Sequence, residues 1–200
     1  MLEIPGARYE FRAFALHFGA AEERLRQLGE GETLRESDEI YLVSAGNLDH
    51  NTKIRAGLMD IKVLVNRERG LEQWDARWKG AFPLSAEAIR EHLFPALGVP
   101  LPELTQTAYH LDEFLDRVIR PQPDLLAVPV GKRRFGFRFQ GCVAELAAVR
   151  VVKDQRIHTM AVEALDPDAV LAARTLLGLD GYENVSYPLA IQRIIGMEPG

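Results

Sequence analysis

Period-two alternation of apolar and polar residues dominates the chain, broken by short stretches of helical period. Residues 8–18 (RYEFRAFALHF) read as a first strand, and a helix follows near 20–28 with Ala21, Leu25 and Leu28 on one side. EIYLV at 39–43 predicts a strand, and 44–51 carries the turn residues Gly46, Asn47, Asp49 and Asn51. Short strands around 52–56 and 60–66 are split by Gly57, and a longer one fits 71–79. Ser85 can cap a helix that runs to Leu97, where Gly98 and Pro100 stop it. Residues 98–108 look like a connection. Leu111, Phe114, Leu115, Val118 and Ile119 then follow the i, i+3, i+4, i+7, i+8 spacing of a helix over 111–119, ended by the PQP at 121–123. Strands fit 125–130, 132–139, 142–152 and 156–165. Asp166 and Pro167 make an N-cap and first-position pair for a helix over 167–177, closed by Gly178, and a last helix fits 187–195. Eight or so strands with helices between them predict an antiparallel α+β fold. The Pro-containing segments at 95–102 and 121–123 are too short to serve as interdomain linkers, so residues 1–200 read as a single domain.

Composition narrows the class. In 200 residues, 47% are hydrophobic and 26% charged, a globular rather than a disordered balance. Cys142 is the single cysteine, so no intramolecular disulfide can form. The N-terminus lacks a basic region followed by an apolar run, and no apolar stretch reaches bilayer length; a cytoplasmic setting without membrane attachment is the expectation. The net charge of −5 argues against a protein that coats duplex nucleic acid.

Strand parity changes that picture. Residues i, i+2 and i+4 of a strand share a face. Over 132–139, Lys132, Arg134, Gly136 and Arg138 share one face, and Arg133, Phe135, Phe137 and Phe139 the other. Over 72–79, Trp74, Ala76 and Trp78 oppose Asp75, Arg77 and Lys79. Tyr9, Phe11 and Ala13 oppose Arg8, Glu10 and Arg12; Lys53 and Arg55 share a face, and Lys62 interrupts IKVLV. Glu145 and Glu163 stand in otherwise apolar strands, VAELAAV and MAVEAL. The basic set Arg8, Arg12, Lys53, Arg55, Lys62, Arg77, Lys79, Lys132, Arg134 and Arg138 outnumbers Glu10, Asp75, Glu145 and Glu163 by six charges. An ordinary two-faced sheet explains each strand singly, with the charged face in water. If the sheet closes into a barrel, the charged face becomes an interior. Clustered cations there need a polyanion, and Arg and Lys both suit phosphate. Scattered glutamates can hold a hard divalent cation through oxygen ligands.

These residues resemble the CYTH superfamily, the triphosphate tunnel metalloenzymes. Lys53-Ile54-Arg55 resembles its Leu-Arg-x-Arg-type strand, and Ile61-Lys62 the strand after it. Lys132-Arg133-Arg134, with Arg138 further on, resembles its mid-chain Lys-x-Arg motif. Val143-Ala144-Glu145-Leu146 resembles its acid-bearing strand, and Ala161 to Pro167 its Glu-bearing strand before an Asp-Pro helix start. Ser186-Tyr187 resembles a final Ser-Lys-Tyr-type segment without the Lys. The resemblance implies an eight-stranded antiparallel barrel with helices outside, its tunnel binding tri- or polyphosphate through the ten Arg and Lys residues. It also implies Mg²⁺ or Mn²⁺ held by Glu10, Glu145 and Glu163. The chain departs from the family at its first strand: where a Glu-x-Glu-x-Lys signature belongs, it has Arg8, Glu10 and Arg12. Residues 98–123 also break the family spacing.

Other chemistries have less behind them. The five histidines are dispersed without metal-ligand spacing, Cys142 has no base partner in sequence, and no GxxxxGK[ST], GxGxxG or GxSxG occurs. KRRFGFRF interleaves cations with aromatics as single-stranded RNA binders do, but parity sends Phe135, Phe137 and Phe139 to the face opposite Lys132, Arg134 and Arg138, which suits core packing. Trp74 and Trp78 read as core by the same logic. Three functions follow: metal-dependent hydrolysis of a triphosphate compound or short polyphosphate; a non-catalytic relative that binds a polyphosphate or nucleotide; or a plain partner-binding domain. The expected partner is a small triphosphate or polyphosphate, with no duplex nucleic acid and no membrane. Oligomeric state is open, a homodimer included.

Overall fold

The computed structural model describes residues 6–151 and 156–197. Eight strands close into an antiparallel barrel: β1 (Arg8–Ala15), β2 (Glu30–Ser44), β3 (Asn47–Arg55), β4 (Leu58–Glu68), β5 (Leu71–Ala81), β8 (Leu125–Phe139), β9 (Cys142–Arg150) and β10 (Arg156–Ala164). Their order around the barrel is β1-β10-β9-β8-β2-β3-β4-β5. The remaining strands, β6 (Leu84–Ser85) and β7 (Ala108–Tyr109), form a small two-stranded sheet. Among the described residues, five helical stretches pack around the barrel: α1 (Ala20–Leu28), α2 (86–97), α3 (111–119), α4 (Pro167–Leu177) and α5 (Tyr187–Ile195). The antiparallel α+β fold expected from alternation, and the closed eight-stranded barrel that the resemblance implies, are therefore the observed fold. No helix among the described residues is long and apolar enough to cross a membrane.

The chain forms two compact units, one of residues 1–37, 64–75 and 131–186, the other of 38–63, 76–130 and 187–200. In the first, Phe11, Ala13, Ala144, Leu146, Met160 and Val162 of the strands pack with Leu25 of α1 and Val170, Ala173 and Leu177 of α4. In the second, Leu42, Ile54, Met59 and Ile61 pack with Ile89, Leu93 and Leu97 of α2 and Phe114 and Val118 of α3. Each buried Leu, Ile or Phe contributes about 2 kcal/mol, so the apolar strand face is held under helices. The charged residues of the same strands are thereby turned to the opposite face, the inner one of a closed sheet.

Local signals place the helix ends. Ser85 Oγ accepts from Ala88 N at 3.0 Å. Asp166 Oδ1 accepts from Asp168 N at 2.9 Å, Pro167 fills the first helical position, and Gly178 ends the helix with φ 76°. The middle of α2 (Ile89–Leu93) and the C-terminal half of α3 (Leu115–Ile119) widen to π-helix. Strand limits differ more from expectation. β2 begins at Glu30, nine residues ahead of EIYLV; its first half is exposed and, apart from Leu34, has no large apolar residue, so it carries no alternation. β3 begins inside the expected turn, at Asn47. The expected strands 125–130 and 132–139 are one strand, β8, running through Pro129 and Gly131; its described pairing with β9 begins only at Gly131, where no proline donor is missing. β1 stops at Ala15 rather than residue 18. Val152, the expected end of β9, lies outside the described residues.

Candidate functional site

In the first unit the register of three neighbouring strands stacks charge in rungs. Glu72 of β5, Glu10 of β1 and Glu163 of β10 stand directly opposite one another. On the next rung, Arg12 of β1 faces Ala161 of β10, which faces Glu145 of β9. Alanine in the middle leaves room for the Arg12 side chain to reach across a whole strand. Its Nε donates to Glu10 Oε1 at 2.8 Å, and its Nη1 to Glu145 Oε1 at 3.2 Å and Thr159 Oγ1 at 3.3 Å. The Arg12 side chain is only 9% exposed. Its backbone is held too: Arg12 N donates to Asn184 Oδ1 at 2.8 Å, and Val185 N donates to Arg12 O at 2.7 Å. Arg8 Nη1 donates to Glu163 Oε1 at 3.1 Å. Glu72 accepts from Trp74 Nε1 at 3.2 Å and Arg67 Nε at 3.5 Å. Burial raises the Glu72 pKa, and the neighbouring Glu10 charge adds to the rise against the pull of Arg67 and the Trp74 hydrogen bond.

On β8, Arg134 faces Ala147 of β9, Gly136 faces Glu145, and Arg138 faces Val143. Arg134 Nη2 donates to Ser37 Oγ at 3.0 Å. Lys132 is buried and Arg138 exposed. Arg133 turns outward, pairing with Glu36 at 3.3 Å and lying over the Phe135 ring.

The second unit holds a separate charged group. Lys53 of β3 faces Tyr41 of β2 on one side and Asp60 of β4 on the other; Arg55 faces Glu39, and Lys62 faces Asn51. Lys53 Nζ lies 3.9 Å from Asp60 Oδ2 and 5.9 Å from the centre of the Tyr41 ring. Arg55 Nη1 lies 3.5 Å from the fully buried Glu39 carboxylate. Burial pushes the Lys53 ammonium below the ordinary lysine pKa; Lys62 and Arg55 push the same way, against Glu39 and Asp60. Arg77 and Lys79, expected with this basic set, are exposed on β5.

Three acids were not in the expected set: Glu39, Asp60 and Glu72. Each flanks or interrupts an apolar run, but only strand register shows that they stand opposite Arg55, Lys53 and Glu10. They halve the expected excess of six cations. Trp74 is buried as expected, but it stands opposite Arg8 and bonds Glu72. Trp78 keeps to its expected role, stacking on His92 of α2 at 5.1 Å between ring centres.

The three carboxylates expected to hold Mg²⁺ or Mn²⁺ do not fit a divalent ion as they stand. Glu10 and Glu145 share the Arg12 guanidinium and Glu163 holds Arg8. Among the described residues, no three His, Cys, Asp or Glu side chains converge as a metal would require.

No protein-family model and no curated protein matches this chain. Solved structures do. A conserved hypothetical protein from Pyrococcus furiosus aligns over 90% of this chain and 98% of its own, at 13% identity and a TM-score of 0.54. A Bacillus halodurans protein described as a putative adenylate cyclase aligns over 92% and 96%, at 12% identity and a TM-score of 0.51. A Pyrococcus horikoshii protein aligns over 90% and 97%, at 16% identity and a TM-score of 0.50. At these identities the likeness is one of fold: this chain shares an eight-stranded antiparallel barrel with them.

Proposed function

We propose that this protein binds a triphosphate compound or a short polyphosphate through Arg and Lys side chains on the helix-free face of its strands, without a resident metal. The observation that carries this reading is Lys53. Three cations, Lys53, Arg55 and Lys62, lie on adjacent strands where burial and like charge disfavour the Lys53 ammonium, and a multiply charged anion would relieve both. Resemblance to the CYTH superfamily supports the same ligand class, as does a barrel shared with a protein described as a putative adenylate cyclase. Metal-dependent hydrolysis is the second reading, favoured by the row of Glu72, Glu10 and Glu163.

Calorimetric titration with tripolyphosphate, ATP and thiamine triphosphate tests both, in EDTA and in Mg²⁺ or Mn²⁺, with phosphate release followed in parallel. Saturable binding in EDTA without turnover supports the first reading. Turnover that requires the metal supports the second. No binding to any of the three under either condition removes both.

A further inference from the structure

We infer that the Arg12 guanidinium is a built-in cation that holds Glu10, Glu145 and Thr159 in place of a divalent ion, so that anion binding by this protein is independent of metal. The inference deepens the proposed binding function and rests on it only for the anion.

The donor set around Arg12 is the kind a hard cation takes. It includes oxygen atoms from three strands: Glu10 Oε1 at 2.8 Å and Oε2 at 3.4 Å, Glu145 Oε1 at 3.2 Å and Thr159 Oγ1 at 3.3 Å. Carboxylate and hydroxyl oxygens are ligands for Mg²⁺ and Mn²⁺. A guanidinium answers them with directed N–H donors and one permanent positive charge, which no change of pH near neutrality removes. The group is fixed from every side. Glu10 reaches Arg12 from two residues along the same strand, Glu145 from across Ala161, and Asn184 and Val185 hold the Arg12 backbone. A metal entering here would have to expel a side chain that is only 9% exposed and would meet repulsion from its charge. Charge also limits what the site offers a ligand: Arg8 and Arg12 are engaged by glutamates, so the cluster orders the barrel wall more than it attracts phosphate.

Removing the guanidinium should expose the oxygens to a metal. The test compares Mn²⁺ binding to the wild-type protein and to Arg12→Gln, by the loss of the free-ion electron paramagnetic resonance signal and by the shift in melting temperature. Arg12→Gln is expected to bind Mn²⁺ at least tenfold more tightly than wild type and to gain several degrees of melting temperature from it, while the wild type gains none. The double variant Arg12→Gln with Glu145→Gln should lose that gain. Wild-type protein that binds Mn²⁺ as tightly as the variant overturns the inference, as does a folded Arg12→Gln protein that gains nothing. If Arg12→Gln does not fold, the wild-type Mn²⁺ titration decides: tight binding that Glu10→Gln abolishes overturns the inference, and no binding supports it. Tripolyphosphate titration separates the two proposals. Binding that appears only with metal overturns the role of Arg12 and leaves the phosphate ligand standing. Absence of binding in all conditions removes the phosphate reading and leaves the Mn²⁺ comparison to judge Arg12.

Discussion

Arg12 Nη1 donates to Glu145 Oε1 at 3.2 Å across an intervening strand, joining residues 133 positions apart in sequence. The bond exists because Ala161 lies between them on β10 and leaves its side of the sheet open. It ties β1 to β9 over β10 and brings together acids that would otherwise repel.

Arg12→Ala should therefore destabilise the fold. Removing one partner of a buried, hydrogen-bonded pair leaves uncompensated carboxylates, and the loss is expected near the lower end for such pairs, about 3 kcal/mol, because Glu145 is 27% exposed. Urea denaturation at pH 7 measures it. A change within about 0.5 kcal/mol, the range of an ordinary surface substitution, would contradict this account.

Lys53→Met should lower tripolyphosphate affinity about tenfold or more, the effect of losing one charge-assisted contact, while the urea midpoint moves little. Because burial lowers the Lys53 pKa, wild-type binding should fade with rising pH before the ordinary lysine value of 10.5 is reached. Binding should also weaken with added salt. Equal affinity for wild type and Lys53→Met would take Lys53 out of the site.

His50 predicts a pH dependence of stability. It is fully buried on β3, its ring Nδ1 lies 3.0 Å from Thr52 Oγ1, and burial lowers its pKa from 6.5 to about 4. The unfolded chain binds the proton more readily, so stability is complete above pH 6.5 and falls as the pH drops toward 4. The slope approaches about 1.4 kcal/mol per pH unit for one proton. Urea midpoints at pH 7.5, 6 and 5 should show the decline, and His50→Gln should flatten it if it folds.

Glu72 offers an optical readout. Its carboxylate accepts from the Trp74 indole at 3.2 Å and titrates above its ordinary value of 4.5. The folded state then holds this proton to higher pH than the unfolded one, so ionisation of Glu72 costs stability as pH rises through that window. Trp74 emission should change over the same window, and Glu72→Gln should abolish the change. A titration at or below the ordinary carboxylate pKa would refute the assignment.

How much of this could be read along the chain depends on how far apart the interacting residues lie. The antiparallel α+β class, the helix caps at Ser85 and Asp166 and the core sides of α1, α3 and α4 come from interactions within a few residues, where period and side-chain chemistry are visible, whereas closure into a barrel was implied only by the family resemblance. β2 hid its first half because Glu30 to Asp38 carries a single large apolar residue, the exposed Leu34, and in such a strand alternation carries no signal. Trp74 and Trp78 share parity and both pack as expected, Trp74 buried and Trp78 against the second unit's core, but only the structure shows that one bonds Glu72 and the other stacks on His92.

Alternation alone determined that Arg8, Glu10 and Arg12 share a face, as do Lys53 and Arg55, and that Glu145 and Glu163 interrupt apolar strands. Their partners were decided only in three dimensions. Cross-strand register sets Glu72 opposite Glu10, Asp60 opposite Lys53 and Glu39 opposite Arg55, and lays Ala161 between Arg12 and Glu145. Register depends on the summed packing of whole strands, and shifting one strand by a single residue would turn each of its side chains to the other face. So a face that looks strongly basic when charges are counted strand by strand is, once the strands are aligned, in part a set of specific ion pairs, with half of its excess charge left over.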